Sequence, residues 1–205
     1  MRGRVVSLFD YTGNMVLPWR DAGYECWVVD IRHDHQNHVR DSIHFVHHDL
    51  TTPWLPPFGG GIDMVFAFPP CTDLACSGAR WMKGKGLRRL AAAIGLFATA
   101  AEFCEWSGAP YLIENPVGTI STYWRKPDYK FHPFEYAGLH PEDNYTKETC
   151  LWTGGGFVMP DKAHLEGPPP DTTKIHHAAP GPERGNTRSI TPTGFAKAVY
   201  WANSR

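Results

Sequence analysis

The stretch "AFPPC" (67–71) sets a cysteine directly behind two prolines at the end of an apolar run. Two pyrrolidine rings fix two φ angles and remove two backbone donors, so the thiol of Cys71 leaves the run on a stiff turn. A nucleophile benefits from such orientation, which lowers its barrier. Its reactive form is the thiolate, favoured by positive charge or a helix N-terminus nearby. Arg80, Lys83, Lys85, Arg88 and Arg89 follow in "RWMKGKGLRR" (80–89). Taken alone, Cys71 also reads as an ordinary buried cysteine in a proline-bounded turn, and the basic run as a solvated helix start.

Glu114 in "IENP" (113–116) ends a second apolar run. Desolvation among apolar strand ends raises a carboxyl pKa, so Glu114 is expected to hold or donate a proton at neutral pH. The plainer alternative is a strand-end residue capping backbone donors. A thiol beside a proton donor suits addition to an electron-poor ring: the sulfur attacks carbon while the acid stabilises charge on a ring nitrogen. A third group is the turn "LFDYTGN" (8–14), where Gly13 permits close approach of an anionic or nucleoside ligand. Asp30 follows at the distance of a nucleoside-binding βαβ unit and is placed to take ribose hydroxyls, although a full G-x-G-x-x-G is missing.

These residues need elements to carry them. Short apolar runs at "RVVSLF" (4–9), "ECWVVDI" (25–31), "SIHFVHHDL" (42–50), "IDMVFAF" (62–68) and "APYLIENP" (109–116) predict five buried strands. Helices are predicted in "MVLPWRDAGY" (15–24) and from Gly86 to Trp106. Such alternation predicts an α/β fold, a mostly parallel sheet with helices on both faces. Asp10, Asp30, Asp49, Cys71 and Glu114 then share the carboxyl rim of the sheet, where ligands gather. "KETCLWTGGGFVMP" (147–160) suggests a hairpin or bent strand, and residues 166–186 a loop. A closing helix in "TPTGFAKAVYWAN" (191–203) has Thr191 as expected N-cap and Pro192 in its first turn.

The bulk numbers agree with this. The 205 residues suit one domain with a real core, and a net charge of −1 excludes a strong global field toward nucleic acid or membrane. Five cysteines argue against a disulfide framework and for a reducing compartment. Without a signal peptide or a membrane-spanning run, the expected location is cytoplasmic, that of the host cell if phage-encoded. The eleven histidines, including "RHDHQNH" (32–38) and "HFVHH" (44–48), lack metal-ligand spacing and read as solvated surface residues, with no metal expected.

Taken together, the motifs resemble those of the cytosine-5 methyltransferase family. "SLFDYTGN" is similar to its first motif, "FPPC" to its nucleophile motif, and "ENP" to its Glu-Asn-Val motif. "RSITPTGFAKAVYWAN" resembles the final motif, whose helix completes the cofactor pocket. The order and spread cover nearly the whole chain, which looks most like the compact, phage-type members. The resemblance implies a Rossmann-like methyltransferase fold, one catalytic domain over 1–205, and S-adenosylmethionine as cofactor. It implies that Cys71 adds to carbon 6 of cytosine while Glu114 contacts ring nitrogen 3. Phe9 would pack on the cofactor, Asp30 bind its ribose and Asp49 its adenine amino group. Thr12, Gly13 and Asn14 would supply turn contacts, with Asp10, Tyr11, Ile31, Leu50, Phe68 and Pro70 completing the pocket and Thr191 near the methionine end. Pro69, Pro70, Asn115, Arg80, Lys83 and Lys85 would face the substrate.

The chain departs from the family pattern in three places. Tyr11 stands where the first motif usually has glycine. The Gln-x-Arg-x-Arg stretch is reduced to "YTKETC" (145–150), leaving Lys147 as its one cation and a third catalytic candidate. A short loop-rich segment, 153–190, stands in place of a target-recognition domain. DNA with little sequence specificity, or a free cytidine nucleotide, is therefore the expected substrate, with room for a separate specificity partner. A non-catalytic cofactor-fold scaffold is the reading from a different class.

Overall fold

The computed structural model describes residues 2–76, 82–174 and 189–204. The five predicted strands form: β1 (Arg4–Leu8), β2 (Glu25–Asp30), β4 (Ile43–His47), β5 (Met64–Ala67) and β6 (Tyr111–Pro116). Two short edge strands were not legible, β3 (His38–Arg40) and β7 (Tyr129–Phe131), and the bent segment after Lys147 becomes β8 (Thr149–Gly154). One sheet results, in the order β3-β4-β2-β1-β5-β6-β8-β7. From β4 to β6 all neighbours pair in parallel, while β3 runs antiparallel to β4 and β8 antiparallel to both β6 and β7. The fold is α/β and Rossmann-like.

Both faces are covered, which is why the central strands are apolar without alternation. On one face lies α3 (Leu87–Ser107), whose Ala93, Phe97, Ala100, Phe103 and Cys104 form a helical stripe against the sheet. Gly108, left-handed at φ 65°, ends it. A short α2 (Met82–Lys85) precedes it. On the other face lie α1 (Leu17–Asp21), with Pro18 in its first turn, and α5 (Thr193–Asn203). Trp19 of α1 is buried between Tyr24, Phe66 and Tyr200. A single turn, α4 (Ile120–Tyr123), follows β6.

Residues 31–42 and 48–63, all described, cross from β2 to β4 and from β4 to β5 without a helix. Rings cover the sheet there instead: Trp27 contacts Trp54 and Phe58 and stacks on His44 at 3.9 Å. No helix among the described residues is long and apolar enough to cross a membrane.

The closing helix begins one residue later than expected. Pro192 is extended at ψ 129° and occupies the N-cap position, and Thr191 precedes it, buried. The orphan N–H of Gly194 is instead satisfied from a distant segment, donating to Asp143 Oδ2 at 2.7 Å. Asp143 sits in the turn between β7 and β8, and burial raises its pKa. A Cβ on Gly194 would lie 2.3 Å from the Tyr136 carbonyl oxygen. Gly194→Ala is therefore expected to displace α5 and lower stability by about 1–3 kcal/mol, read by thermal or urea denaturation.

Candidate functional site

The crossover from β1 to β2 and the arrival of β5 on the other side of β1 create a topological switch point, and ligands of such sheets gather at the carboxyl ends there. Asp30 ends β2, Asp10, Asp49 and Cys71 follow β1, β4 and β5, and Glu114 lies near the end of β6. The shared rim read from the sequence is present.

The turn after β1 is shaped from within. Phe9 adopts φ 56°, an uncommon conformation for a bulky residue, and Gly13 adopts φ 70°. Asp10 was expected against a cofactor, but its carboxylate turns into the loop. It accepts from Ser7 Oγ at 2.7 Å, Gly13 N at 2.7 Å and Thr12 N at 3.1 Å. Burial raises its pKa, opposed by these hydrogen bonds. Thr12 and Tyr11 are exposed and Asn14 half-buried. Asp30 is buried and held by Arg32. Ile31 is exposed, Leu50 buried and Phe68 half-buried. Asp49 is exposed, and a hydrogen bond from the Thr51 amide holds its carboxyl below the usual range.

The thiol loop is fastened at both ends. Pro69 is buried, Pro70 exposed and Cys71 half-buried; none of the five cysteines, all described, forms a disulfide. Asn115 Nδ2 donates to the Pro69 carbonyl at 2.8 Å. Cys71 O accepts from Leu74 N at 3.0 Å and Ala75 N at 2.9 Å, a tight turn, and Cys76 N donates to Val117 O at 2.9 Å. Gly118 permits this contact, because a Cβ there would lie 2.2 Å from the Leu74 carbonyl oxygen. Lys85 was expected to face substrate; instead it pairs with Asp73 at 2.6 Å and donates to Thr72 O at 2.9 Å. Arg89 adds a second contact to Asp73 at 3.2 Å. The acidic neighbour two residues past the thiol thus claims the cations meant for a phosphate. Arg80 lies outside the described residues, as does the side chain of Lys83.

Strand alternation separates the Glu-Asn pair. Asn115, expected to face substrate, points to the α3 face, where it holds Pro69; its Oδ1 is buried without a hydrogen-bond partner among the described residues. Glu114 points to the α5 face. There it lines a small pocket with Phe68, Phe131, Lys147, Thr149, Ser189, Thr191, Pro192 and Phe195. Lys147 Nζ stands 3.7 Å from Glu114 Oε1, both side chains largely buried, so the carboxyl faces a cation as well as apolar walls. The pocket joins Glu114, Lys147, Phe68 and Thr191; Cys71 is not part of its lining and stands on the loop that Asn115 ties to the same strand. Phe131, Thr149 and Phe195 were missed. Thr149 follows Lys147 by two residues and so shares its side of the chain, a signal available in "TKETC".

The histidines are not all solvated. His33 is buried, with Nδ1 3.1 Å from Val46 O and Nε2 3.3 Å from Tyr11 O, and His38 stacks on Phe45. Among the described residues no group of three or more His, Cys, Asp or Glu is arranged to hold a metal ion.

No family model and no curated protein matches this chain. Among solved structures it is similar to the glycopeptide N-methyltransferase MtfA complexed with S-adenosyl-L-homocysteine, at 15% identity and TM-score 0.33, covering 64% of this chain and 50% of that one. A second structure of MtfA gives 15% identity and TM-score 0.32 over 75% and 65% of the two chains. Its complex with S-adenosyl-L-methionine gives 17% identity and TM-score 0.30 over 64% and 50%. This chain spans about half the length of the first of these. At these values no residue role transfers.

The clamp on the thiol loop has a pH signature. The Lys85 ammonium holds the Asp73 carboxyl below its unfolded value of 3.8. Stabilisation from Asp73 is therefore fully present above that value and lost as pH falls through the lower folded one. Asp73→Asn is expected to lower the melting temperature at neutral pH, with the difference from wild type shrinking only as pH falls below 3.8 and through the lower folded value.

Proposed function

We propose that this protein transfers a methyl group from S-adenosylmethionine to carbon 5 of cytosine in DNA through a covalent Cys71 adduct, as a compact relative of the cytosine-5 methyltransferases. The observation that supports it most is the Asn115–Pro69 hydrogen bond at 2.8 Å, which couples the turn carrying the thiol to the strand carrying Glu114. A thiol and an acid held on adjacent strand tips are what addition across a pyrimidine ring needs.

The residues of this rim fit the cofactor by their chemistry. Phe9 and Phe68, both half-buried, offer apolar surface, Asp30 a carboxylate for ribose hydroxyls, and Thr12, Tyr11, Asn14 and Asp49 polar groups around it. Thr191, just before α5, lines the Glu114 pocket. When bound, the cofactor supplies an electrophilic methyl carbon on a sulfonium. Cys71 sulfur would form a bond to carbon 6 of the ring as the carbon 5–carbon 6 π pair shifts toward nitrogen 3, where the Glu114–Lys147 pair meets the charge that builds. Carbon 5, made nucleophilic by that addition, would accept the methyl as its bond to the sulfonium sulfur breaks and a neutral thioether is left. Loss of the carbon 5 proton to a base then returns the electrons that expel Cys71. Pro69 and Pro70 hold the sulfur in line. The pocket walls of Phe131 and Phe195 exclude water around the Glu114–Lys147 pair, which strengthens its field on a bound base.

On duplex DNA the cytosine would have to leave the stack to reach this depth. The short 153–190 segment supports low sequence specificity. One observation favours the second reading, a free cytidine nucleotide: Lys85 and Arg89 are engaged by Asp73, and Lys130 by Glu148, which leaves fewer described cations for a run of phosphates.

5-Fluorocytosine separates these readings, because fluorine cannot leave as a proton and the adduct is trapped. With cofactor present, a denaturing gel or intact-mass measurement is expected to show a covalent adduct to 5-fluorocytosine DNA, absent in Cys71→Ser. An adduct with the 5-fluorinated nucleotide alone would move the substrate to the second reading; none with either would overturn the chemistry. Glu114→Gln is expected to slow methyl transfer roughly a hundredfold or more while cofactor still binds.

A further inference from the structure

We infer that Arg32 competes with the nucleoside half of the cofactor for Asp30, and so sets the affinity of the cofactor pocket. The inference rests on the methyl-transfer reading above and adds a residue to it. Asp30 is buried at the end of β2 and its carboxylate is gripped three times by one residue. Oδ1 accepts from Arg32 N at 2.8 Å and from Arg32 Nε at 3.0 Å, while Oδ2 accepts from Arg32 Nη2 at 3.2 Å. The two side-chain bonds are charge-assisted and forked, the geometry in which guanidinium binds carboxylate best. Ribose hydroxyls would donate to the same two oxygens.

The guanidinium has a second seat. Its central carbon lies 4.5 Å from the centroid of the Tyr11 ring, which itself stacks on His33 at 5.8 Å. His33 is pinned between Val46 O and Tyr11 O, so the Tyr11 platform belongs to the scaffold joining β1, β2 and β4. Arg32 can therefore release Asp30 and remain on an aromatic face, where a cation is stabilised. The Arg32 side chain is 44% exposed and that of Asp30 8%, so the arginine is the partner able to move. Tyr11, the residue that departs from the family's glycine, acquires a role: it parks the arginine.

The test is calorimetric titration with S-adenosylhomocysteine. Arg32→Ala is expected to bind it roughly three- to tenfold more tightly than wild type, the range of a partly exposed ion pair with forked hydrogen bonds. Arg32→Lys, which keeps charge but loses the fork, should fall between them. For the wild type alone, raising salt from about 0.05 to about 0.5 M should tighten binding as the ion pair is screened, an effect that Arg32→Ala should lack. A role that is merely structural would not produce this salt dependence. Binding that is unchanged or weaker in Arg32→Ala, with wild-type affinity flat in salt, would overturn the inference while leaving the methyl-transfer reading in place. Wild type that binds no S-adenosylhomocysteine at either salt concentration would overturn both.

Discussion

One hydrogen bond fixes the layout of the candidate site: the amide of Asn115 reaching across to the carbonyl of Pro69. Proline cannot use its own nitrogen to join the sheet, so the Pro69–Pro70 turn would otherwise leave β5 with a stiff arm and nothing to aim it. The donor comes from the next strand, on the face opposite Glu114. Alternation along β6 thus divides labour between successive residues, one securing the turn and the other lining the pocket. Gly118 secures the far end of the same loop by letting two backbones meet. Lys85 and Arg89 fix its middle through Asp73.

The other side of the rim is built differently. Asp10 and Asp30 are both buried acids, but one is consumed by backbone and hydroxyl donors of its own turn and the other by a neighbouring arginine. Burial without donors would be costly for either carboxylate. The difference lies in who can leave: amides of a turn cannot, and a half-exposed arginine can.

The five long strands, the α3 stripe and the placing of acids at strand ends were legible because they follow from local apolar runs and from the geometry of parallel sheets. So was the Pro-Pro-Cys turn. What failed was tertiary. The strands β3 and β7 have three residues each and exist through a partner's edge, with no pattern of their own. The cap of α5 was sought in Thr191 because caps are usually local, and Asp143 supplies it from fifty-one positions away. Lys85 looked like a phosphate ligand because sequence shows a charge but not the acid that folds against it. His33 looked solvated for the same reason: only the fold puts two carbonyls against its ring.

The helix-free crossings between β2, β4 and β5 carry a further meaning. On the α3 face, the rings of Trp27, Trp54 and Phe58 stand beside β2 and β4 where α3 does not reach, while α1 covers β2 on the other face. The two flanks of the sheet are thus covered on the α3 face by different means, rings from loops and strands beside β2 and a twenty-one-residue helix beside β5 and β6.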